Sequence, residues 1–106
     1  MLRLYRFALL AALLGLAGRA EAQGWPDHPI KAFIPFSAGS ATDIIPRAVF
    51  EPLSAALGKT IVVENRGGAG GTLAVGAVVK AEPDGYTILA NSSAHTVAPW
   101  IVPNLP

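Results

Sequence analysis

The 106 residues contain no cysteine. That absence rules out a disulfide framework, thiolate metal sites and a lipid-modified N-terminal cysteine. Only two histidines occur, His28 and His95, and their separation matches no metal-ligand spacing. Charge is also sparse: eight Lys and Arg face seven Asp and Glu. No basic cluster suits a nucleic acid or an anionic membrane surface. No apolar run approaches the roughly 20 residues needed to span a bilayer.

What is present begins with a leader. "MLRLYRFALLAALLGLAGRAEAQ" places Arg3 and Arg6 before an apolar run over residues 7–17 and ends in the small-residue pattern Ala20-Glu21-Ala22. This is the three-part grammar of a secretory signal peptide, with cleavage expected after Ala22. Removing residues 1–22 takes away three arginines and one glutamate. Five basic and six acidic residues remain, for a formal net charge of −1. An exported chain without cysteine fits a bacterial periplasmic protein. One domain is expected over residues 23–106.

Hydrophobic patterning predicts β-α-β-α-β. "IKAFIPF" (residues 30–36) is apolar on both faces, as a buried parallel strand is, and Pro35 marks its end. "TDIIPRAVFEPLSAALG" follows as a helix whose apolar stripe is Ile45, Val49, Leu53, Ala56 and Leu57, with Gly58 as its C-terminal cap. Pro46 is tolerable in a first turn, whereas Pro52 removes a mid-helix hydrogen bond and predicts a bend or break. "TIVVEN" is a second strand, "RGGAGG" a loop, "TLAVGAVVKA" a small-residue helix, "EPDG" a turn and "YTILA" a third strand. "NSSAHTVAPW" reads as a polar, backbone-rich stretch, and no helix is expected after it. Helical connections imply parallel strands with right-handed crossovers.

The familiar catalytic and nucleotide motifs fail. The dinucleotide fingerprint started at Gly68 puts Leu73 where its sixth-position glycine belongs, and a P-loop ending at Lys59-Thr60 would need glycine at Leu53. The glycines at 67, 68, 70 and 71 are then a turn that lets strand and helix pack closely. Ser92, Ser93 and His95 lack a nucleophile elbow, so no catalytic residue is expected. Ser40-Ala41-Thr42-Asp43 fits a capping box, with Asp43 reaching back to the Ser40 amide.

Two loops remain. "SAGSAT" opens a helix at the carboxyl end of the first strand, where unpaired N–H groups and the helix dipole attract anions. "NSSAHT" lies at the carboxyl end of the third strand. With the first strand between the second and third, both loops meet at a topological switch point, where open α/β sheets bind ligands. Small hydroxyl side chains and free amides suit a carboxylate held by neutral groups. The candidate ligand-binding residues are Phe36, Ser37, Gly39, Ser40, Thr42, Asp43, Asn91, Ser92, Ser93 and His95.

The chain resembles the Bug-type solute receptors, the extracytoplasmic substrate-binding proteins of tripartite tricarboxylate transporters. "WPDHPIKAFIPFSAGSATDIIPR", "LGKTIVVENRGGAGG" and "AEPDGYTILA", in that order, carry the resemblance. It implies a two-lobed Venus-flytrap fold of the type II periplasmic-binding-protein class. It also implies a small organic carboxylate bound between the lobes and handed to membrane permease subunits, with no cofactor and no enzymatic activity. The loops at residues 36–43 and 91–96 would be walls of the site.

Three departures stand out. Ser37-Ala38-Gly39-Ser40 replaces the frequent Pro-Gly-Gly, prolines interrupt a helix that is usually uninterrupted, and the chain is much shorter than family members. The last implies the N-terminal part of lobe 1, without the second lobe and with weak ligand binding by itself. The runner-up readings are a small exported Rossmann-like enzyme or nucleotide binder, and a non-functional remnant.

Overall fold

The computed structural model describes residues 24–105. The expected leader, residues 1–22, lies outside them. Among the described residues no helix is long and apolar enough to cross a membrane.

The sheet is built around β1 (Ile30–Ile34), which pairs in parallel with β2 (Ile61–Asn65) on one side and β3 (Thr87–Leu89) on the other. Ile30 sits opposite Ile61, and Phe33 sits between Glu64 and Leu89. The order β2-β1-β3 is the expected one. Ile30, Ala32, Phe33 and Ile34 are all buried, as a strand covered on both faces requires. Lys31 alone in β1 stays exposed, its ammonium lying over the Phe33 ring.

Three helices follow the strands: α1 (Ala41–Leu57), α2 (Thr72–Val79) and α3 (Ala94–Ile101). The crossovers run from β1 outward to β2 and then back across β1 to β3. Right-handed connections in opposite directions place α1 and α2 on opposite faces of the sheet. On the α1 face, Ile30, Ala32 and Ile61 form a small core with Phe50, Leu57, Val63, Tyr86 and Ile88 packed around it. α2 approaches β3 and β1 through small residues, and Ala74 is fully buried there.

Three local expectations are corrected. First, α1 does not break at Pro52: it is one helix of 17 residues running through both Pro46 and Pro52. Pro52 deprives only the Ala48 carbonyl of its donor, and both residues are exposed, so water can serve that carbonyl.

Second, of the expected apolar stripe of α1 only Leu57 packs on the sheet; Ile45, Val49 and Leu53 are exposed. Ile45 is 65% exposed and Val49 56%. The side that meets the sheet carries Asp43, Phe50, Ser54 and Leu57, with Asp43 buried and the other three half-buried. Polar contacts set this rotation: the Ile61 N–H donates to Ser54 Oγ at 3.1 Å, and Asp43 bonds to the end of β2. Periodicity identifies a stripe but not what it faces.

Third, α3 is a helix where a polar, irregular stretch was expected. The Ala94 N–H donates to Ser92 Oγ, and the His95 and Thr96 N–H groups donate to the Ser92 and Ser93 carbonyls, which starts the turn. Serine side chains that compete with helix in an interior promote it at an end.

Candidate functional site

The loop after β1 is held from within. Pro35 is buried, the Ser40 N–H donates to the Ser37 carbonyl at 3.2 Å, and Gly39 takes the left-handed conformation with φ of 81°. Glycine enters that region without the penalty a side chain brings. Ser40 is the N-cap of α1, as expected, but its side chain makes no cap bond and instead meets Thr42 Oγ1 at 3.0 Å. Asp43 reaches one residue further back than a capping box does: its Oδ2 accepts the Gly39 N–H at 2.8 Å.

The Asp43 carboxylate is only 2% exposed as a residue and is served by three donors. Besides the Gly39 N–H, its Oδ1 accepts from Arg47 Nε and from Asn65 Nδ2, both at 2.8 Å. Asn65 Nδ2 also donates to the Phe36 carbonyl at 2.9 Å, and Asn65 Oδ1 accepts from Arg47 Nη2 at 2.7 Å. Every polar atom of the Asn65 amide therefore has a partner of the right kind. The Asn65 amide, the Gly39 N–H and the Arg47 guanidinium together hold the Asp43 carboxyl below the usual carboxylate range, against the opposing effect of burial. The network joins the end of β1, the start of α1 and the end of β2.

Hydrogen bonding within the loop leaves some donors over. Among the described residues the N–H groups of Ser37, Ala38, Ala41 and Thr42 have no protein acceptor. After β3, the Ala90 N–H returns to the Phe33 carbonyl and the Ser92 N–H is taken by Asn91 Oδ1, while those of Asn91 and Ser93 have no acceptor. Because β1 and β3 are adjacent and parallel, both groups of donors lie at the same edge of the sheet. This arrangement can hold an anion by neutral donors, and it contains no paired nucleophile and base.

The sequence-derived candidates thus divide. Ser37, Ser40 and Thr42 lie on the loop before and within the first turn of α1, with Phe36 contributing its carbonyl to Asn65. The Gly39 N–H and the Asp43 carboxylate are bonded to each other. Asn91 and His95 line a cavity of about 260 Å³ together with Gly70, Gly71, Thr72 and Val75; the first loop lies outside it. Ser92 and Ser93 form the start of α3. Arg47 and Asn65 were not among the candidates. The spacing of Asp43 and Arg47, four apart on a helix, was the signal available for the first; nothing local marks Asn65 as its third partner.

The glycine cluster has the bland role expected of it. Gly71 is buried with φ of 91°, and a Cβ there would lie 3.1 Å from Pro35 Cβ. The start of α2 therefore lies directly against the end of β1.

Comparison with known proteins adds the following. The family described as "Tripartite tricarboxylate transporter family receptor" matches residues 45–106. A UPF0065 protein of Bordetella bronchiseptica is 48% identical over 106 residues, covering 97% of this chain and 32% of the relative. Protein BugT of Bordetella pertussis is 36% identical over 100 residues, covering 92% and 31%. The chain thus spans about a third of the length of the curated relatives it matches. Among solved structures, R. palustris Rpa4515 with adipate is 35% identical, with a TM-score of 0.60 over 61% of this chain and 22% of that one. MatC from Rhodopseudomonas palustris with bound malate is 40% identical, with a TM-score of 0.58 over 60% and 22%.

Proposed function

This chain belongs to the tripartite tricarboxylate transporter receptor family, and from that premise we propose that its two carboxyl-edge loops form one wall of a site for a small organic carboxylate. The observation that carries the reading is the set of N–H groups without acceptors at residues 37, 38, 41, 42, 91 and 93, in the two loops that follow the adjacent parallel strands β1 and β3. Two structural relatives hold adipate and malate, and a dicarboxylate is the ligand class such donors suit. Neutral N–H groups can bind an anion without a permanent positive charge, and the start of α1 adds its dipole. In this reading residues 1–22 are removed on export and residues 23–106 belong to the first lobe of a periplasmic receptor. The receptor passes its solute to a membrane permease, and a second lobe supplies the opposite wall.

Affinity follows from the geometry. A closed site buries roughly 70–90% of a small ligand, whereas a single wall leaves it wet. Two or three hydrogen bonds of about 0.5–1.5 kcal/mol each, set against the cost of immobilising the ligand, give about millimolar binding. The test is amide NMR of the chain titrated with succinate, malate, adipate and, as a contrast, ATP. Saturable dicarboxylate shifts at residues 37–42 and 91–93 with a millimolar constant are expected. Shifts confined to residues 67–71 with ATP would overturn the reading in favour of a nucleotide binder. Export has its own check: periplasmic mass spectrometry is expected to show a chain starting at Gln23.

A further inference from the structure

The anion-binding edge has a negative charge built into it. Asp43 is buried at the start of α1, in the same first turn that carries the Ala41 and Thr42 N–H donors. A second carboxylate arriving there meets a like charge that the wet wall screens only in part. The hydrogen bonds from Gly39 and Asn65 orient the Asp43 carboxylate but bring no charge to cancel it. Arg47 does: its Nε lies 2.8 Å from Asp43 Oδ1, and its Nη2 is fixed by Asn65 Oδ1. No other cationic side chain bonds to Asp43 among the described residues.

Resting on the carboxylate-binding reading above, we propose that Arg47 is a positioning and charge-balancing residue, which cancels the Asp43 carboxylate so that the β1–α1 loop accepts an anionic ligand. Arg47 does not touch the ligand. It lies one helical turn beyond Asp43, and the two nitrogens named are occupied by Asp43 and Asn65. Its planar fork serves two acceptors at once, which a lysine ammonium would do less well. Asn65 completes the device by fixing the fork from β2 and the loop through the Phe36 carbonyl. The discrimination this gives is between charged and neutral ligands of one shape.

The test compares succinate with its neutral isostere succinamide on the full chain, by NMR shifts of the 37–42 amides. Any slackening of the loop weakens both probes, so the ratio of their affinities reads charge alone. Arg47→Gln is expected to lower the succinate-to-succinamide ratio about tenfold, the effect of one unit charge at roughly 10 Å in a partly screened site. Asp43→Asn is expected to raise the ratio by a similar factor, and the double variant to return it to the wild-type value. Arg47→Lys keeps the charge and is expected to leave the ratio within about twofold; if the glutamine variant does not fold, Arg47→Met takes its place with the same expected loss. A ratio that stays constant across the variants, with both probes still bound at the loop, overturns the role of Arg47 and leaves the binding site standing. No loop shift with either probe in the wild type overturns both proposals.

Discussion

β1 enters the sheet beside one hydrogen-bonded aspartate and leaves it beside another. At its amino end, Asp27 Oδ1 accepts the Tyr86 hydroxyl at 2.6 Å, and the Asp27 N–H donates back to that oxygen at 2.9 Å. The His28 ring stacks on Tyr86 with centroids 3.6 Å apart, and Trp25 tilts against it at 5.9 Å. At its carboxyl end, Asp43 is bonded by amides and a guanidinium. The side chain of Asp27 is 67% exposed and that of Asp43 3%. The amino end is thus closed by side chains on the surface, where water can replace each bond as it breaks. The carboxyl end is closed around a buried carboxylate, Asp43, whose bonds to Gly39, Arg47 and Asn65 have no ready substitute in water, although the Arg47 side chain itself is 44% exposed. The second arrangement leaves loop N–H groups without protein acceptors, because the nearest carboxylate, Asp43, is committed to Gly39, Arg47 and Asn65. A binding edge and a sealed edge therefore differ less in composition than in where the hydrogen bonds go.

Asn65→Ala should give the largest effect. It strips one partner each from Asp43, Arg47 and the Phe36 carbonyl; Asp43 keeps Gly39 and Arg47, but losing a hydrogen bond to a buried charged group costs about 1.5–3 kcal/mol. For a domain of this size that lowers Tm by roughly 6–24 °C in a thermal scan. A loss of only a degree or two would mean that water reaches the carboxyl end as easily as the amino end, and the contrast between them would collapse.

The next largest contrast uses a glycine from each end. Gly71 lies against Pro35 at the carboxyl end, and Gly85 lies under Trp25 at the amino end; both have positive φ. Alanine at either position pays the left-handed penalty of about 1–2 kcal/mol. At Gly71 the new Cβ would also come within 3.1 Å of a proline held in the buried end of β1, whereas at Gly85 it would meet Trp25 Nε1 at an ordinary 3.5 Å. Gly71→Ala is expected to unfold at lower urea than Gly85→Ala. Equal midpoints would show that the start of α2 yields freely.

Acid denaturation should separate the ends further. Both aspartates have pKa values lowered from the ordinary 3.8, Asp27 chiefly by the Tyr86 hydroxyl and Asp43 chiefly by the Asn65 amide. A carboxylate whose folded pKa is depressed favours the folded state above its ordinary pKa. That contribution disappears as pH falls through the ordinary value toward the lowered one. Stability measured from about pH 5 down to pH 2 should therefore fall in the wild type. Asp43→Asn is expected to flatten that decline more than Asp27→Asn, since solvent screens the exposed pair. The reverse order would place the principal acid-sensitive contact at the aromatic end.

Much of this architecture is legible in the residues. The doubly apolar "IKAFI", the Gly58 cap and the β-branched "IVVEN" give the strands and first helix, and right-handed crossovers restrict the strand order. The loops at residues 37–42 and 91–93 follow from that order. The rotation of α1 was not legible: Ile45, Val49 and Leu53 form the cleaner hydrophobic stripe, yet Asp43, Ser54 and Asn65 decide which side meets the sheet. Hydrogen bonds between residues 22 apart in the chain leave no periodic trace. The continuity of α1 through Pro52 and the helix at residues 94–101 were missed for a related reason. Both depend on which backbone groups water or a neighbouring serine can serve, and that is settled only by exposure in the folded chain.

The smallest expected effect sharpens the comparison from the amino end. Tyr86→Phe removes the hydroxyl that both gives and receives a hydrogen bond with Asp27, but it keeps the ring between Trp25 and His28. The bonds lost are exposed, so the Asp27 carboxylate and N–H turn to water at little net cost. The ring contacts with Trp25 and His28, and the packing of the Tyr86 ring against the core, persist. Tm should therefore move by no more than a few degrees, well under the loss in Asn65→Ala. The Asp27 carboxyl, freed from its main hydrogen bond, should titrate nearer its ordinary value by carbon-detected NMR. A Tyr86→Phe variant that titrates normally at Asp27 and barely loses stability would show that the amino end is held by its rings. One that loses as much as Asn65→Ala would show that the exposed hydroxyl pair, like the buried network, is a structural bond that water does not replace.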